Sequence, residues 1–386
     1  MMNKIPKGWE VKKLGEIFNV IGGGTPNTNN AEFWSGNISW ISSADIDKEN
    51  FNAIPRKFIT ENAIQNSATN LVPKNTIIVV TRIGLGKVAI TKEPMCFSQD
   101  SQALIPFEKI NVKFMAYQIK QIAQNFINIS RGTTINGITK QNLKDCKIYV
   151  SPLSEQKAIA DKLDDSFAKI ENAITNLINA KENLKLYKQS VLKSAFNDDL
   201  LPSISPTQRK KVKFEDVLKY EQPTKYIVKS TKYNNDFKTP VLTAGKGFIL
   251  GYTNETEGIF TNTPVIIFDD FTTSSQYVNF HFKVKSSAMK ILRPADNVNL
   301  KFLFYKMQTI QHKSDTHKRY WISEYAKLEI PLPPLSEQNL IVAEIDRRFA
   351  IVDKTLNLID KSIQNAKNLK QSILKKAFSG ELRSEI

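Results

Sequence analysis

Cysteine and histidine are scarce in this chain of 386 residues, which holds Cys96 and Cys146 and three histidines, His281, His312 and His317. Two cysteines cannot build a disulfide framework or a cysteine-only zinc site, and such usage points to a reducing cytoplasm. The histidines have no cysteine or carboxylate cluster beside them at metal-ligand spacing, so no metal site is expected. No apolar run reaches the roughly 18 residues of a membrane span, and the N-terminus lacks the apolar stretch of a signal peptide. No membrane partner is expected. A nucleotide-binding Gly-Lys-Ser/Thr, an Asn-Pro-Pro-Tyr sequence and a convincing nucleophile constellation are also missing. Asp269-Asp270 is the one carboxylate pair that tempts a catalytic reading, but no Glu-x-Lys of the nuclease type follows it and a strand-end turn explains it better. The chain therefore reads as a binder with no catalytic residues and no cofactor of its own.

What is abundant is positive charge. Lysine and arginine number 54 against 38 acidic residues, a net charge of +16 with a pI near 9.5. That balance points to a polyanionic partner, with a generally basic surface as the plainer explanation.

The chain also repeats itself. Pro152-Leu-Ser-Glu-Gln156 recurs as Pro334-Leu-Ser-Glu-Gln338, and the offset of 182 still holds at Gln189-Ser-Val-Leu-Lys-Ser-Ala-Phe196 and Gln371-Ser-Ile-Leu-Lys-Lys-Ala-Phe378. Between residues 152–200 and 334–382, 19 of 49 positions are identical. So long a period implies a duplicated domain-plus-helix module, not a solenoid repeat. Ser154 and Ser336 are N-cap candidates, with Glu155 and Glu337 in the first turn and Leu335 placed to staple onto Leu340.

Apolar residues then recur every seven. The rows are Leu163, Ile170, Leu177, Leu184 and Val191 with Phe167 and Ile174, and Ile345, Val352, Ile359, Ala366 and Ile373 with Phe349, Leu356 and Ile363. These are heptad seams, and some forty residues at about 1.5 Å each make a rod of roughly 60 Å. Both helices are acidic early and basic late, which favours antiparallel pairing. Residues 154–196 hold seven basic and six acidic side chains and residues 336–378 eight and five, so most of the positive excess lies outside the rods.

Residues 1–152 precede the first rod. Trp9-Glu-Val-Lys-Lys-Leu-Gly-Glu-Ile-Phe18 reads as a short amphipathic helix leading into Ile21-Gly-Gly-Gly-Thr-Pro-Asn27. Those glycines make either a sharp turn or a contact with DNA, for which Thr25 and Asn27 are candidates. Ile38-Ser-Trp-Ile-Ser-Ser43 alternates like a strand and ends in the candidates Ser42 and Ser43. Thr76-Ile-Ile-Val-Val80 is a buried-strand run. The Arg82 and Lys87 loop after it suits a phosphate or base edge, or is a simple hairpin turn before the strand Val88-Ala-Ile90. After a helix around residues 114–127, Arg131-Gly-Thr-Thr-Ile-Asn-Gly-Ile-Thr-Lys140 offers Arg131, Thr133 and Lys140.

Residues 201–206 form a linker, and residues 211–333 replay the first domain loosely. Residues 212–218 parallel the Leu14 to Phe18 region, Pro264-Val-Ile-Ile-Phe268 parallels residues 76–80, and Phe302-Leu-Phe-Tyr305 parallels residues 114–117. The inserts differ, and from them Lys246 and Tyr252 are candidate DNA contacts. A basic and aromatic cluster supplies Lys313, His317, Lys318, Arg319 and Tyr320, beside Trp321; a solvated helix end would look similar.

Taken together, Ile5-Pro-Lys-Gly-Trp-Glu10, Lys13-Leu-Gly-Glu16, Gly23-Gly-Thr-Pro26, Gly132-Thr-Thr134, Ile138-Thr-Lys140, the doubled Pro-Leu-Ser-Glu-Gln and Leu374-Lys-Lys-Ala-Phe-Ser-Gly-Glu-Leu382 resemble the specificity subunits of type I restriction-modification systems. The resemblance spans essentially the whole chain. It implies an α+β fold with two globular α/β target-recognition domains, separated by two long helices packed as an antiparallel coiled coil, with internal pseudo-two-fold duplication. The expected divisions are residues 1–152 for the first domain, 153–200 for the first spacer helix, 201–333 for the second domain and 334–386 for the second helix. Each domain is expected to read one half of a bipartite, asymmetric site in double-stranded DNA. The resemblance also implies two methyltransferase subunits and restriction subunits as partners, which would carry S-adenosylmethionine, ATP and Mg2+. The second domain departs from Gly-Gly-Thr-Pro and has Thr243-Ala-Gly-Lys-Gly247 instead, so loops cannot be matched one for one. A structural coiled-coil adaptor with a basic surface is the rival reading.

Overall fold

A computed structural model of the chain describes residues 5–123, 126, 137–197, 199–201, 209–243, 247–310 and 319–382. It forms two compact units: residues 1–176 with 362–386, and residues 177–361. Each unit takes a globular part and portions of both long helices.

In the first unit the expected N-terminal helix is mostly absent. Residues 9–22 instead form the strand Glu10–Lys13, a single helical turn Leu14–Ile17 and the strand Phe18–Gly22. The buried residues Trp9, Leu14, Ile17, Phe18 and Val20 fit that turn between strands as well as a helix. Tertiary pairing decides, because Glu10–Lys13 pairs antiparallel with Lys147–Val150 and Leu14 N donates to Cys146 O at 2.9 Å. A four-stranded antiparallel sheet follows, ordered Phe18–Gly22, Ser101–Pro106, Ile77–Val80, Val88–Ile90. Ile77–Val80 is an unbroken β-branched run because both its faces are covered: Ile77 and Val79 join one core cluster, Ile78 and Val80 another. A three-stranded sheet places Ile38–Ile41 between Lys57–Ile59 and Cys96–Phe97. The helix spans Val112–Ala123.

The second unit repeats this frame. Its four-stranded sheet runs Leu218–Glu221, Met289–Pro294, Val265–Asp269, Ser275–Val278, and its three-stranded sheet places Thr239–Leu242 between Ile249–Thr253 and Lys283–Val284. Lys210–Lys213 pairs with Glu329–Leu332, and the helix is Leu300–Gln308. The parallels drawn from the sequence at residues 212–218, 264–268 and 302–305 fall on equivalent elements.

The long helices are Leu153–Phe196 and Leu335–Ser379, 44 and 45 residues. Each starts two residues ahead of the position that Ser154 or Ser336 would cap, so both serines lie inside the first turn. The proposed staple is not formed as a buried contact, since Leu335 and Leu340 are 38% and 49% exposed. The glutamine of the repeated motif is the anchor instead. Gln156 Oε1 accepts from Asn111 N at 2.9 Å while its Nε2 donates to Ser151 O at 2.7 Å. Gln338 does the same with Asn299 N at 2.9 Å and Pro333 O at 2.8 Å. The glutamates have a tertiary role as well: Trp9 Nε1 donates to Glu155 and Arg209 Nη2 to Glu337, both at 3.0 Å.

All fifteen seam residues are buried or half-buried: Leu163, Phe167, Ile170, Ile174, Leu177, Leu184, Val191, Ile345, Phe349, Val352, Leu356, Ile359, Ile363, Ala366 and Ile373. Pairing is antiparallel in each unit. Lys181 meets Asp360 at 2.6 Å and Lys188 meets Asp353 at 2.5 Å, a step of seven forward on one helix and seven back on the other. In the first unit Lys370 meets Glu171 at 2.6 Å. Lys188 and Lys370 are repeat equivalents, as are their partners, and each ammonium also lies over the equivalent ring, Phe349 at 4.7 Å and Phe167 at 5.0 Å.

The aromatic contacts repeat too. Phe114 packs edge-on against Phe378 at 5.4 Å, and Phe302 against Phe196 at 5.3 Å. Tyr117 meets Phe167, and Tyr305 meets Phe349; their hydroxyls donate to Asp164 and Asp346.

Two expectations follow. Gln156→Ala strips the Asn111 amide and the Ser151 carbonyl of their partner inside the protein and should cost about 2–4 kcal/mol, measured by urea unfolding. An unchanged midpoint would remove the glutamine as an anchor. Burial, with Lys370 as a like charge nearby, pushes the Lys120 ammonium down to about 8. Its folded value lies below the unfolded one, so from pH 8 upward the unfolded chain holds a proton that the folded chain has shed. Stability on this account should rise between about pH 8 and about pH 10.5, and Lys120→Met should flatten the rise in thermal melts.

Candidate nucleic-acid interface

Residues 81–87 connect the strands Ile77–Val80 and Val88–Ile90, with Val80 N donating to Lys87 O at 2.9 Å and Gly86 N to Val80 O at 3.0 Å. Gly84 and Gly86 have φ of +85° and +89°, which is why this turn carries glycines. Arg82 projects outward with its side chain 48% exposed, and Asp100 Oδ1 stands 3.9 Å from its Nε. Lys87 does not project. Its Nζ donates to Ser43 O at 2.8 Å, tying this turn to the next segment.

That segment is the 3-10 turn Ser43–Asp45, capped by Ser42, whose hydroxyl also donates to the Asp45 carboxylate at 2.7 Å. Ser43 is 9% exposed. Ser42 and Ser43 thus shape the turn, and Ser43 offers little to a ligand.

The Gly-Gly-Thr-Pro segment resolves in favour of packing. A Cβ on Gly23 would fall 2.2 Å from Ser98 O, and one on Gly24 would fall 2.3 Å from the Ala68 carbonyl carbon. Both amides are spent on backbone carbonyls, Gly23 N on Ser101 O at 3.3 Å and Gly24 N on Phe97 O at 2.9 Å. No phosphate cradle remains. Thr25 donates its hydroxyl to Gln99, and Asn27 stands exposed with Oδ1 accepting from Asn29 N at 3.0 Å.

The segments touch one another. Thr81 N and Arg82 N donate to Asp100 O at 2.8 and 3.2 Å, and Ile138 N donates to Thr81 O at 2.9 Å. Lys140 is exposed at the start of the helix Lys140–Lys144, which Thr139 caps through Asn142 N at 3.1 Å. Thr25, Gln99, Asp100, Arg82 and the Ser43 turn therefore form one connected strip. Gln99 and Asp100 escaped the sequence reading; the short polar stretch between two buried strand segments was their only signal. Arg131 and Thr133 lie outside the described residues.

In the second unit Lys246, Lys313, His317 and Lys318 also lie outside the described residues. Arg319 is exposed. Tyr320 is a correction, because it is only 3% exposed, and Trp321 at 2% lies against Phe268 at 5.2 Å. The aromatic residues interleaved with cations are core anchors here, and their rings are not presented to a base. Asp270 holds this segment: its carbonyl accepts from Tyr320 N and its Oδ1 from Trp321 N, both at 2.9 Å. Lys290 Nζ stands 3.4 Å from Asp270 Oδ2, with both side chains almost fully buried. Asp269 shapes the strand-end turn by accepting from Phe271 N and Thr272 N at 2.9 Å. The two carboxylates thus do separate structural work. Tyr252 is half-buried, and its carbonyl accepts from Asn234 N at 3.1 Å. Among the described residues no three histidine, cysteine or acidic side chains cluster to hold a metal ion.

The family model for the type I restriction modification DNA specificity domain matches residues 6–180 and 206–366. The chain belongs to this family. Both matches cover a globular part and run on into the long helix that follows it.

Among relatives of this specificity-family chain, the EcoR124I/EcoR124II specificity subunit of Escherichia coli is 47% identical over 149 residues, 35% of this chain and 37% of the relative. The MjaIX specificity subunit of Methanocaldococcus jannaschii is 31% identical over 233 residues, 59% of this chain and 52% of the relative. The matched region thus spans about a third to a half of those relatives' length. The EcoKI specificity subunit of Escherichia coli is 22% identical over 434 residues, covering 99% and 91%. In fold, the chain resembles a solved chain from work on complex assembly and conformational transition of the type I R-M system, with a TM-score of 0.76, 18% identity and 98% and 100% coverage. It also resembles the HsdS subunit from Thermoanaerobacter tengcongensis, with a TM-score of 0.58, 19% identity and 98% coverage of each chain.

Arg82 and Lys87 should separate in experiment. Arg82→Ala should reduce the slope of log affinity against log salt by about 0.9, as loss of one phosphate contact does. Lys87→Met should leave that slope alone and cost about 1 kcal/mol in thermal stability. Equal slopes for the Arg82 variant and the unaltered chain would take Arg82 out of the interface.

Proposed function

We propose that this chain is the DNA-reading subunit of a type I restriction-modification complex and that each unit reads one half of a bipartite, asymmetric site in double-stranded DNA. The observation that carries the reading is one backbone frame built twice with unlike exposed segments. At the turn after the strand Ile77–Val80 the first unit exposes Ile83, where the turn after Val265–Asp269 in the second exposes Phe271 and Thr272. Equal frames with different surface chemistry suit two different half-sites, because groove contacts made by side chains carry the sequence information.

On this reading the paired helices set the spacer between half-sites and dock two methyltransferase subunits, and restriction subunits join that assembly. S-adenosylmethionine, ATP and Mg2+ belong to those partners, and this chain supplies no catalytic group. The assembly works in the cytoplasm, and no helix among the described residues is long and apolar enough to cross a membrane.

Modified-base sequencing of DNA from cells with and without the chain tests the proposal. Loss of adenine methylation at one split motif is the expected result. Exchange of residues 211–333 for those of a relative should then alter one half of the motif only. Methylation unchanged by removing the chain from an active system would favour the adaptor reading instead.

A further inference from the structure

The first unit has a basic pocket that lies beside the strip described above and that no motif announces. Thr28, Trp34, Arg56, Lys57 and Phe58 line a shallow hollow of about 290 Å³. It adjoins the strip at the Ser43–Asp45 turn and reaches Asn27, two residues beyond Thr25. Trp34 Nε1 donates to Asn27 O at 3.2 Å, and Arg56 Nε meets the Asp45 carboxylate, which also holds Ser42, at 3.2 Å.

The chemistry of the hollow selects its ligand. Lys57 Nζ sits 5.0 Å from the centre of the Trp34 ring, and Trp40 meets that ring edge-on at 5.1 Å. With a cation already over it, Trp34 is not an open stacking platform for a base; it holds the ammonium in place. Its N–H is spent on Asn27, so Thr28 is left as the polar side chain for a base edge. Arg56 is 72% exposed even though Asp45 orients it, and Phe58 is 43% exposed. Two oriented cations, Arg56 held by Asp45 and Lys57 over Trp34, in a hollow that the exposed Phe58 ring also lines, fit a phosphate with its deoxyribose, not a base. The second unit's corresponding strand, Ile249–Thr253, brings no cation to this place.

We propose that this pocket grips the DNA backbone beside the half-site read by the first unit, adding affinity without sequence preference. The proposal rests on the DNA-reading function above and assigns to the pocket a role separate from base choice.

The test uses the full chain assembled with its methyltransferase subunits and two duplexes, one carrying the methylated motif and one lacking it. Arg56→Gln and Lys57→Gln should each weaken binding to both duplexes by the same factor and lower the salt slope by about 0.9, with the methylated motif unchanged. Lys57→Arg should restore the slope, and thermal melts matching the unaltered chain separate lost contact from lost folding. Unchanged affinity on both duplexes overturns the proposal, and so does a motif altered at any base. If the unaltered chain directs no split motif, the DNA-reading proposal fails on its own account, while the slope on plain duplex still judges the pocket.

Discussion

Each unit's core is closed by the far end of a helix that begins in the other. The first long helix starts at Leu153 in the first unit and ends at Phe196 against Phe302 in the second; the second helix starts at Leu335 and ends at Phe378 against Phe114. Burying a phenylalanine contributes about 1.5–3 kcal/mol, whereas exposed ion pairs such as Lys181–Asp360 contribute about 1 kcal/mol or less. Apolar closure therefore dominates stability, and the charges mainly set direction and register. This constraint explains which repeat positions stayed identical. Gln156 and Gln338 anchor the helix starts, Asp164 and Asp346 take the tyrosine hydroxyls, and Phe196 and Phe378 complete the cores.

The two units solve one local problem differently. The residue after the central strand is Thr81 in the first unit and Asp270 in the second, and each carbonyl accepts the amide that starts the segment at Ile138 or Tyr320. Asp270 adds a carboxylate bond to Trp321 N and a buried pairing with Lys290. A buried ion pair is a weak source of net stability, because desolvation offsets much of the attraction. Its value here is geometric, since one residue fixes two successive amides of the segment that carries Arg319.

The candidate surface was only partly legible. Arg82 could be read as exposed because a cation flanked by turn glycines between two strands has nowhere to bury its charge. Lys87 looks the same in sequence and is tied to Ser43 O. Tyr320 and Trp321 beside Arg319 match a nucleic-acid surface pattern, yet their rings fill a core. Composition reports which groups a segment holds; only packing decides which of them face solvent. The Trp34 and Lys57 pairing joins residues far apart along the chain, and no local pattern signals it.

By itself the sequence determined the duplication, the heptad seams, the antiparallel sense of the helix pair and the doubly buried strands. These rest on periodicity and charge order, which are properties of local chain geometry. The tertiary structure alone decided that residues 9–22 form strands around one helical turn, that the glycines at 23 and 24 serve backbone packing, and that Gln156 and Gln338 are anchors. Each of these depends on a partner distant in sequence: the Lys147–Val150 strand, the Ser98 and Ala68 backbone, and the Asn111 and Asn299 amides. A backbone group or side chain takes its role from what meets it, and those meetings exist only once the chain has folded.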